Sequence, residues 1–242
     1  MRLIDVCAPT CLVLSLFLIS NNAAAAPITG SFFLDGTVVG MTGGLSFYTT
    51  TPGDHLGSIA LPTTGSFTDL TAGEAQTILD ASSANGVIPG TTFDFTNWVQ
   101  LTDGINLDLT SIPIPNLSAC PTTGSVAAGV SCLINAQSPI VLTQGLNGVG
   151  AAFATYGIAH TTDPTTDVAF RGLFVAPSTN FETIEDFLTY FNTNGHIPAV
   201  GYSANFTILP GPTVPEPRWL TAGFGALLAC IGLRKKSRAR NS

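Results

Sequence analysis

The side chains through which this chain could do chemistry are few and scattered. His55, His160 and His196 lie far apart, and none has a second histidine or a cysteine at the spacing of metal ligands. A Ser-His-Asp arrangement does not need proximity in sequence. Yet no G-x-S-x-G elbow occurs to present a nucleophilic serine. Between Pro27 and Thr213 there is no lysine, so amine nucleophiles and Schiff bases are excluded there. Arg171 is the single basic residue of that stretch. It reads either as a clamp for a carboxylate or sulfate or as the partner of a nearby acid such as Asp167 or Glu182. Cys120 and Cys132 are the only cysteines of the same stretch. In an oxidising compartment they are expected to form a disulfide; the alternative is two buried thiols. "GLNGVG" (145–150) lacks the G-x-G-x-x-G spacing and following helix of a phosphate loop and reads as a hairpin turn. "DGINLD" (103–108) has the wrong order for a calcium loop. The expectation is a protein without metal, cofactor or catalysis.

Charge narrows the choice of partners. Thirteen acids against one arginine give the stretch from Pro27 to Thr213 a net charge of −12. Such a surface repels phosphates, which argues against nucleic acid, and repels anionic membranes.

The elements that must carry these residues are mostly strands. "INLDLT" (105–110) alternates Ile105, Leu107 and Leu109 with polar residues, and "YSANFTI" (202–208) alternates Tyr202, Ala204, Phe206 and Ile208 in the same way. "TFDFT", "VAFRGLFV", "AAFATYGIA", "SPIVLTQ", "SFFLDG" and "GLSFYTT" are further candidates, cut by turn residues at short intervals. This pattern predicts a mainly β domain, an antiparallel sandwich or barrel-like sheet. One short amphipathic helix is expected in "STNFETIEDFLTYFNTNG", with Thr179 as N-cap, Glu182 completing a capping box, and Gly195 at its end. "TAGEAQTILDA" (71–81) reads as a weaker helix. "GSF" recurs at Gly30 and Gly65, too little to define a repeat.

The two ends differ from this body. Residues 1–25 read as an export signal: Arg2, the apolar run "CLVLSLFLIS", then small residues, with cleavage expected after Ala25 through Ala23 and Ala25. A retained anchor is the alternative, but a ten-residue apolar run falls short of the roughly 20 a span requires. The exported β domain then covers 26–208, and a proline-rich linker covers 209–218. An apolar run, 219–233, reads as a short transmembrane helix. A basic tail, 234–242, carries Arg234, Lys235 and Lys236, which the positive-inside rule holds in the cytoplasm.

"VPEPRWLTAGFGALLACIGLRKK" resembles the PEP-CTERM sorting signal of Gram-negative bacteria: the triplet Pro215-Glu216-Pro217, a Gly- and Leu-rich stretch, and a basic end. The resemblance covers roughly 214–240. It implies recognition of the tail by exosortase, a membrane processing enzyme, and cargo of the exopolysaccharide, biofilm or floc matrix. Tails of this type also carry the label of an ice-binding protein C-terminal motif, but the body lacks a regular Thr-x-Thr ladder. The resemblance therefore implies transient residence in the inner membrane, then the cell surface or matrix. The leading expectation is a structural or adhesive matrix component. A carbohydrate-binding module with exposed Trp98, Tyr156 or Tyr202 is the second, and a secreted hydrolase the third.

Overall fold

The structure, a computed structural model, describes residues 26–41, 44–177 and 179–210. The expected signal peptide with Ala23 and Ala25 lies outside the described residues. So do the triplet Pro215-Glu216-Pro217, the apolar run at 219–233 and the basic Arg234, Lys235 and Lys236. Among the described residues no helix is long and apolar enough to cross a membrane.

Among the described residues twelve strands and one α-helix follow in order. The first seven strands are β1 (Ser31–Met41), β2 (Gly44–Tyr48), β3 (Leu56–Ala60), β4 (Ala75–Ile78), β5 (Ala81–Ser82), β6 (Thr92–Gln100) and β7 (Asn106–Ser111). Then come β8 (Ser131–Leu133), β9 (Val141–Gln144), β10 (Val149–His160), β11 (Val168–Ala176), helix α1 (Ile184–Asn194) and β12 (Ile197–Ile208). Eight strands close into an antiparallel barrel in the order β12-β1-β3-β4-β6-β7-β10-β11, with β11 pairing back to β12. Closure removes the sheet edges that an open sheet would expose. Each of the eight segments proposed from alternation overlaps a strand, although Ile105, Thr49, Thr50 and residues 138–140 fall just outside one. The 71–81 segment corrects its expectation: it supplies β4 and the start of β5, because its backbone is taken up by ladders to β3 and β6. Local propensity yields there to tertiary pairing.

The alternating apolar residues point inward and fill the barrel with rings. Phe32 stacks on Phe206 at 4.8 Å between centroids, and Phe153 stacks on Phe174 at 4.6 Å. Trp98 lies among Phe47, Phe174 and Phe206 and donates its indole N–H to the Leu79 carbonyl at 2.9 Å. A bulge around Asn97, whose φ is +52°, turns the Trp98 side chain into this core.

The end where the chain enters and leaves is closed by a feature the sequence hid. Thr29-Gly30-Ser31-Phe32 and Thr64-Gly65-Ser66-Phe67 are the same four residues twice, each two positions after a proline. They pack against each other reciprocally. The Ser66 N–H donates to the Thr29 carbonyl at 2.8 Å and the Thr64 N–H to the Ser31 carbonyl at 2.9 Å. The Thr29 N–H donates to the Ser66 hydroxyl and the Ser31 N–H to the Thr64 hydroxyl. Phe67 then lies 4.8 Å from Phe32 and seals the barrel. Gly30 and Gly65 both have positive φ, and a Cβ on either would collide with the backbone of the other segment.

At the opposite end the ring of strands comes apart. β1 pairs with β3 through Phe33–Asp35 but with β2 through Thr37–Met41. β10 pairs with β7 through 156–160 but with β9 through 149–152. Two flaps therefore flare from the barrel, β2 with β5 on one side and β9 with β8 on the other. Helix α1 caps the second flap. Its N-cap is Thr183 rather than Thr179: the Thr183 hydroxyl accepts from the Asp186 N–H at 3.1 Å and donates to the Asp186 carboxylate. Thr179 is buried and donates from N–H and hydroxyl to the Val149 carbonyl, which anchors the approach to the helix instead. Gly195 closes the helix at φ +71°, as expected.

Candidate functional site

The gap between the two flaps is a cleft of about 410 Å³. Leu45, Ala81, Val87 and Ile88 form one wall. Ile134, Ile140, Phe191 and Ile197 form the other. Its volume lies in the range of small-molecule sites. The polar residues on its lining are Ser83, Asn135, Gln137 and Ser138, and no charged side chain lines it. Asn135 and Ser138 hold their own loop: the Asn135 carboxamide accepts from the Gln137 N–H, and the Ser138 hydroxyl accepts from the Ile140 N–H. A recess of about 30 Å³, sharing Gly40, Leu45, Ile140 and Ile197 with the cleft, leads toward Phe153 and Phe174 inside the barrel.

The second wall rests on a small core of its own. Cys120 and Cys132 are joined by a disulfide with Cα atoms 4.9 Å apart, within the reach such a bond requires. They pack with Ile134, Leu142, Val149, Ile184, Phe187, Leu188 and Ile197. Gln144 ties the helix to this core. Its side-chain carbonyl accepts from the Ile184 N–H at 3.0 Å and its NH₂ donates to the Glu182 carbonyl at 2.9 Å. Gln144 is buried, so this one side chain serves an orphan helix donor that water cannot reach.

The other chemically capable residues are apart from the cleft and from one another. His55 lies 3.2 Å from Asp80, whose same oxygen accepts from the Phe47 N–H. His160 Nε2 lies 3.1 Å from Asp108, and its Nδ1 faces the Thr161 carbonyl at 3.1 Å. Asp108 also accepts from the Asn97 N–H at the β6 bulge. Burial alone would lower the proton affinity of His160. The Thr161 carbonyl and the Asp108 carboxylate, with the charge of Asp167, outweigh it and raise the pKa. His196 contacts the Tyr190 hydroxyl. No serine hydroxyl bonds to a histidine among the described residues. Burial, then the charges of Glu74 and Asp69, raise the Asp103 carboxyl, but no group of three His, Cys, Asp or Glu is arranged for a metal among the described residues.

Two expectations about binding residues are corrected. Trp98 is 0% and Tyr202 4% exposed, so neither can stack on a sugar from the surface; both are core rings of the barrel. Tyr156 is half-buried on the outer face of β10 opposite Arg171. Arg171 is exposed and forms no ion pair with Asp167 or Glu182, because its strand carries it to the outer wall. The cleft itself was not foreseen. Its walls come from segments far apart in sequence, which no local pattern joins. Comparison with known proteins finds no family, no curated protein and no solved structure that matches this chain.

Proposed function

We propose that this is an exported, non-catalytic protein of the cell surface or extracellular matrix, sorted through its C-terminal tail. The support is the sequence beyond the barrel: Pro215-Glu216-Pro217, a 15-residue apolar run of about 22 Å as helix, then Arg234, Lys235 and Lys236. That run is short of a ~30 Å hydrocarbon core, which suits a transient hold by a processing enzyme of the exosortase type better than permanent anchorage. The signal segment ending at Ala23–Ala25 and the Cys120–Cys132 disulfide both fit an oxidising, exported setting. Exopolysaccharide is the partner that the tail resemblance suggests.

The polarity of the barrel fits this reading. Ser31 pairs with Thr207 and the Ile208 N–H donates to the Gly30 carbonyl, so the described chain begins and stops at the closed end. Gly40 pairs with Ile197 at the other end, roughly 30 Å away along β1 at about 3.3 Å per residue. A tail held at a membrane would thus present the cleft outward. The test is Glu216→Ala, followed by fractionation of cells. Sorting predicts accumulation of the unprocessed chain in the inner membrane and loss from the surface. Unchanged surface delivery would mean that the triplet does nothing and that the tail is an ordinary anchor.

A further inference from the structure

We propose that the cleft between the flaps binds an uncharged amphipathic small molecule: an aliphatic or aromatic body with one hydrogen-bonding end. Five isoleucines, Ile88, Ile112, Ile134, Ile140 and Ile197, supply most of the apolar wall. A pocket so lined takes hydrocarbon in preference to water. At the rim, Gln137 is exposed and its side-chain amide has no hydrogen-bond partner among the described residues, so a hydroxyl or amide head has a group to meet.

Charge decides the class of ligand. No lysine, arginine or histidine lines the cleft, and the surrounding body carries −12. An anionic head would enter without a counterion and against the protein's field. A cationic head would be drawn to the body but would find no carboxylate in the cleft. Desolvating either charge without a partner is costly, so the neutral molecule is the one the lining fits.

The chain's own apolar ends do not suit as occupants. The described chain stops at Pro210 beside the closed end, and the apolar run begins at Trp219. Nine residues span about 30 Å only at full extension, so the tail could bring Trp219 to the rim only with its linker fully stretched, a constraint that an external molecule does not carry. At the N-terminal side the apolar run ends at Ser20, six residues before Ala26, about 20 Å at full extension, which falls short of the rim. The cleft is left to an external molecule.

This inference stands apart from the sorting reading, since the binding is measured on purified protein irrespective of how it is delivered. The experiment is methyl NMR of the full chain in lipid nanodiscs, with isoleucine δ1-methyls labelled, titrated with dodecan-1-ol and separately with dodecanoate. Dodecan-1-ol should move the Ile134, Ile140 and Ile197 methyls in a saturable way and leave Ile28 and Ile59, at the closed end, unmoved. Dodecanoate should bind about tenfold or more weakly. Ile88→Trp, a change at a rim residue that is 55% exposed, should fill the cleft and abolish the shifts without touching the core. Ser83→Asp, also at an exposed position, should weaken dodecan-1-ol less than it weakens dodecanoate. Absence of shifts at the cleft methyls would overturn the proposal, as would uniform shifts at both ends or equal binding of the two ligands. Shifts that appear only after removal of 211–242 would assign the cleft to the chain's own tail and overturn it too.

Discussion

The two ends of the barrel are built from the same alternating strands and behave as opposites. At the end where the described chain begins and stops, two copies of Thr-Gly-Ser-Phe exchange hydrogen bonds and close the ring, with two glycines in contact and Phe67 as a stopper. At the far end the same strands change partners, β1 from β3 to β2 and β10 from β7 to β9, and a cleft opens between the flaps. Closure or opening is therefore a matter of which neighbour a long strand pairs with over its last few residues. Inward alternation alone does not decide it. The closed end needs close backbone approach, hence glycine. The open end needs supports from outside the ring, hence a disulfide, a helix and a buried glutamine.

The most severe way to break the contrast is at the closed end. Gly65→Val would force a β-branched residue to φ +63° and drive its Cβ into the Thr29 carbonyl. A loss of about 3 kcal/mol or more is expected in urea unfolding. Gly30→Val should cost a similar amount, and the double variant less than the sum, because the two residues share one contact. A cost below about 1 kcal/mol for either would mean that the segments can separate without opening the barrel.

Removing the disulfide tests the other end. Replacing Cys120 and Cys132 by serine should cost roughly 3 kcal/mol if the lobe unfolds with the barrel. If the lobe melts first, the global midpoint barely moves but helix α1 is lost. Either outcome leaves the closed end intact. A double-serine variant whose paired Thr-Gly-Ser-Phe segments came apart would break the comparison.

Gln144→Leu is expected to cost about 1–3 kcal/mol, since the Ile184 N–H and the Glu182 carbonyl both lose their partner. It should loosen helix α1 and the cleft wall, read as a fall in the helical circular dichroism signal, with little change at Trp98.

The smallest effects are those of pH, and two groups have opposite signs. Asp54 accepts from Leu56, Thr49 and Thr51 in the loop between β2 and β3. Local desolvation alone would raise its carboxyl, but these hydrogen bonds hold it down at about 2. Its contribution is complete above the ordinary value of 3.8 and lost as pH falls through about 2. His160 is raised, so its contribution is complete below the ordinary 6.5 and lost as pH climbs through the raised value. Asp54→Asn should flatten the acid side of a stability-against-pH curve, and His160→Gln the alkaline side. Curves of either variant parallel to the parent would show that the group has no linkage to folding.

What the sequence disclosed follows the same division. Period-2 alternation in 105–110 and 202–208 revealed the long strands because inward residues must be apolar whichever neighbour they pair with. The barrel rather than a sandwich was not legible, since closure depends on register between β11, β12 and β1, which no single strand encodes. β3, β4, β5 and β8 were missed because they are short and built from Gly, Ala, Ser and Cys as much as from branched residues. The repeat at Gly30 and Gly65 was visible as three letters; only the pairing of Thr29 with Ser66 and of Ser31 with Thr64 shows why both copies exist. The helix lay within its expected span. Its cap moved by four residues because Thr179 has a buried carbonyl to bond.

Native-state hydrogen exchange followed by mass spectrometry compares the two ends in one sample and tests their difference most directly. The account predicts that the amides of Ser31, Thr64 and Ser66 exchange only through global unfolding, while those of Ile184 and Phe187 exchange through a cheaper opening of the lobe that leaves the barrel closed. Equal opening free energies at the two ends, or earlier exchange at Thr64 and Ser66 than at Ile184, would contradict it.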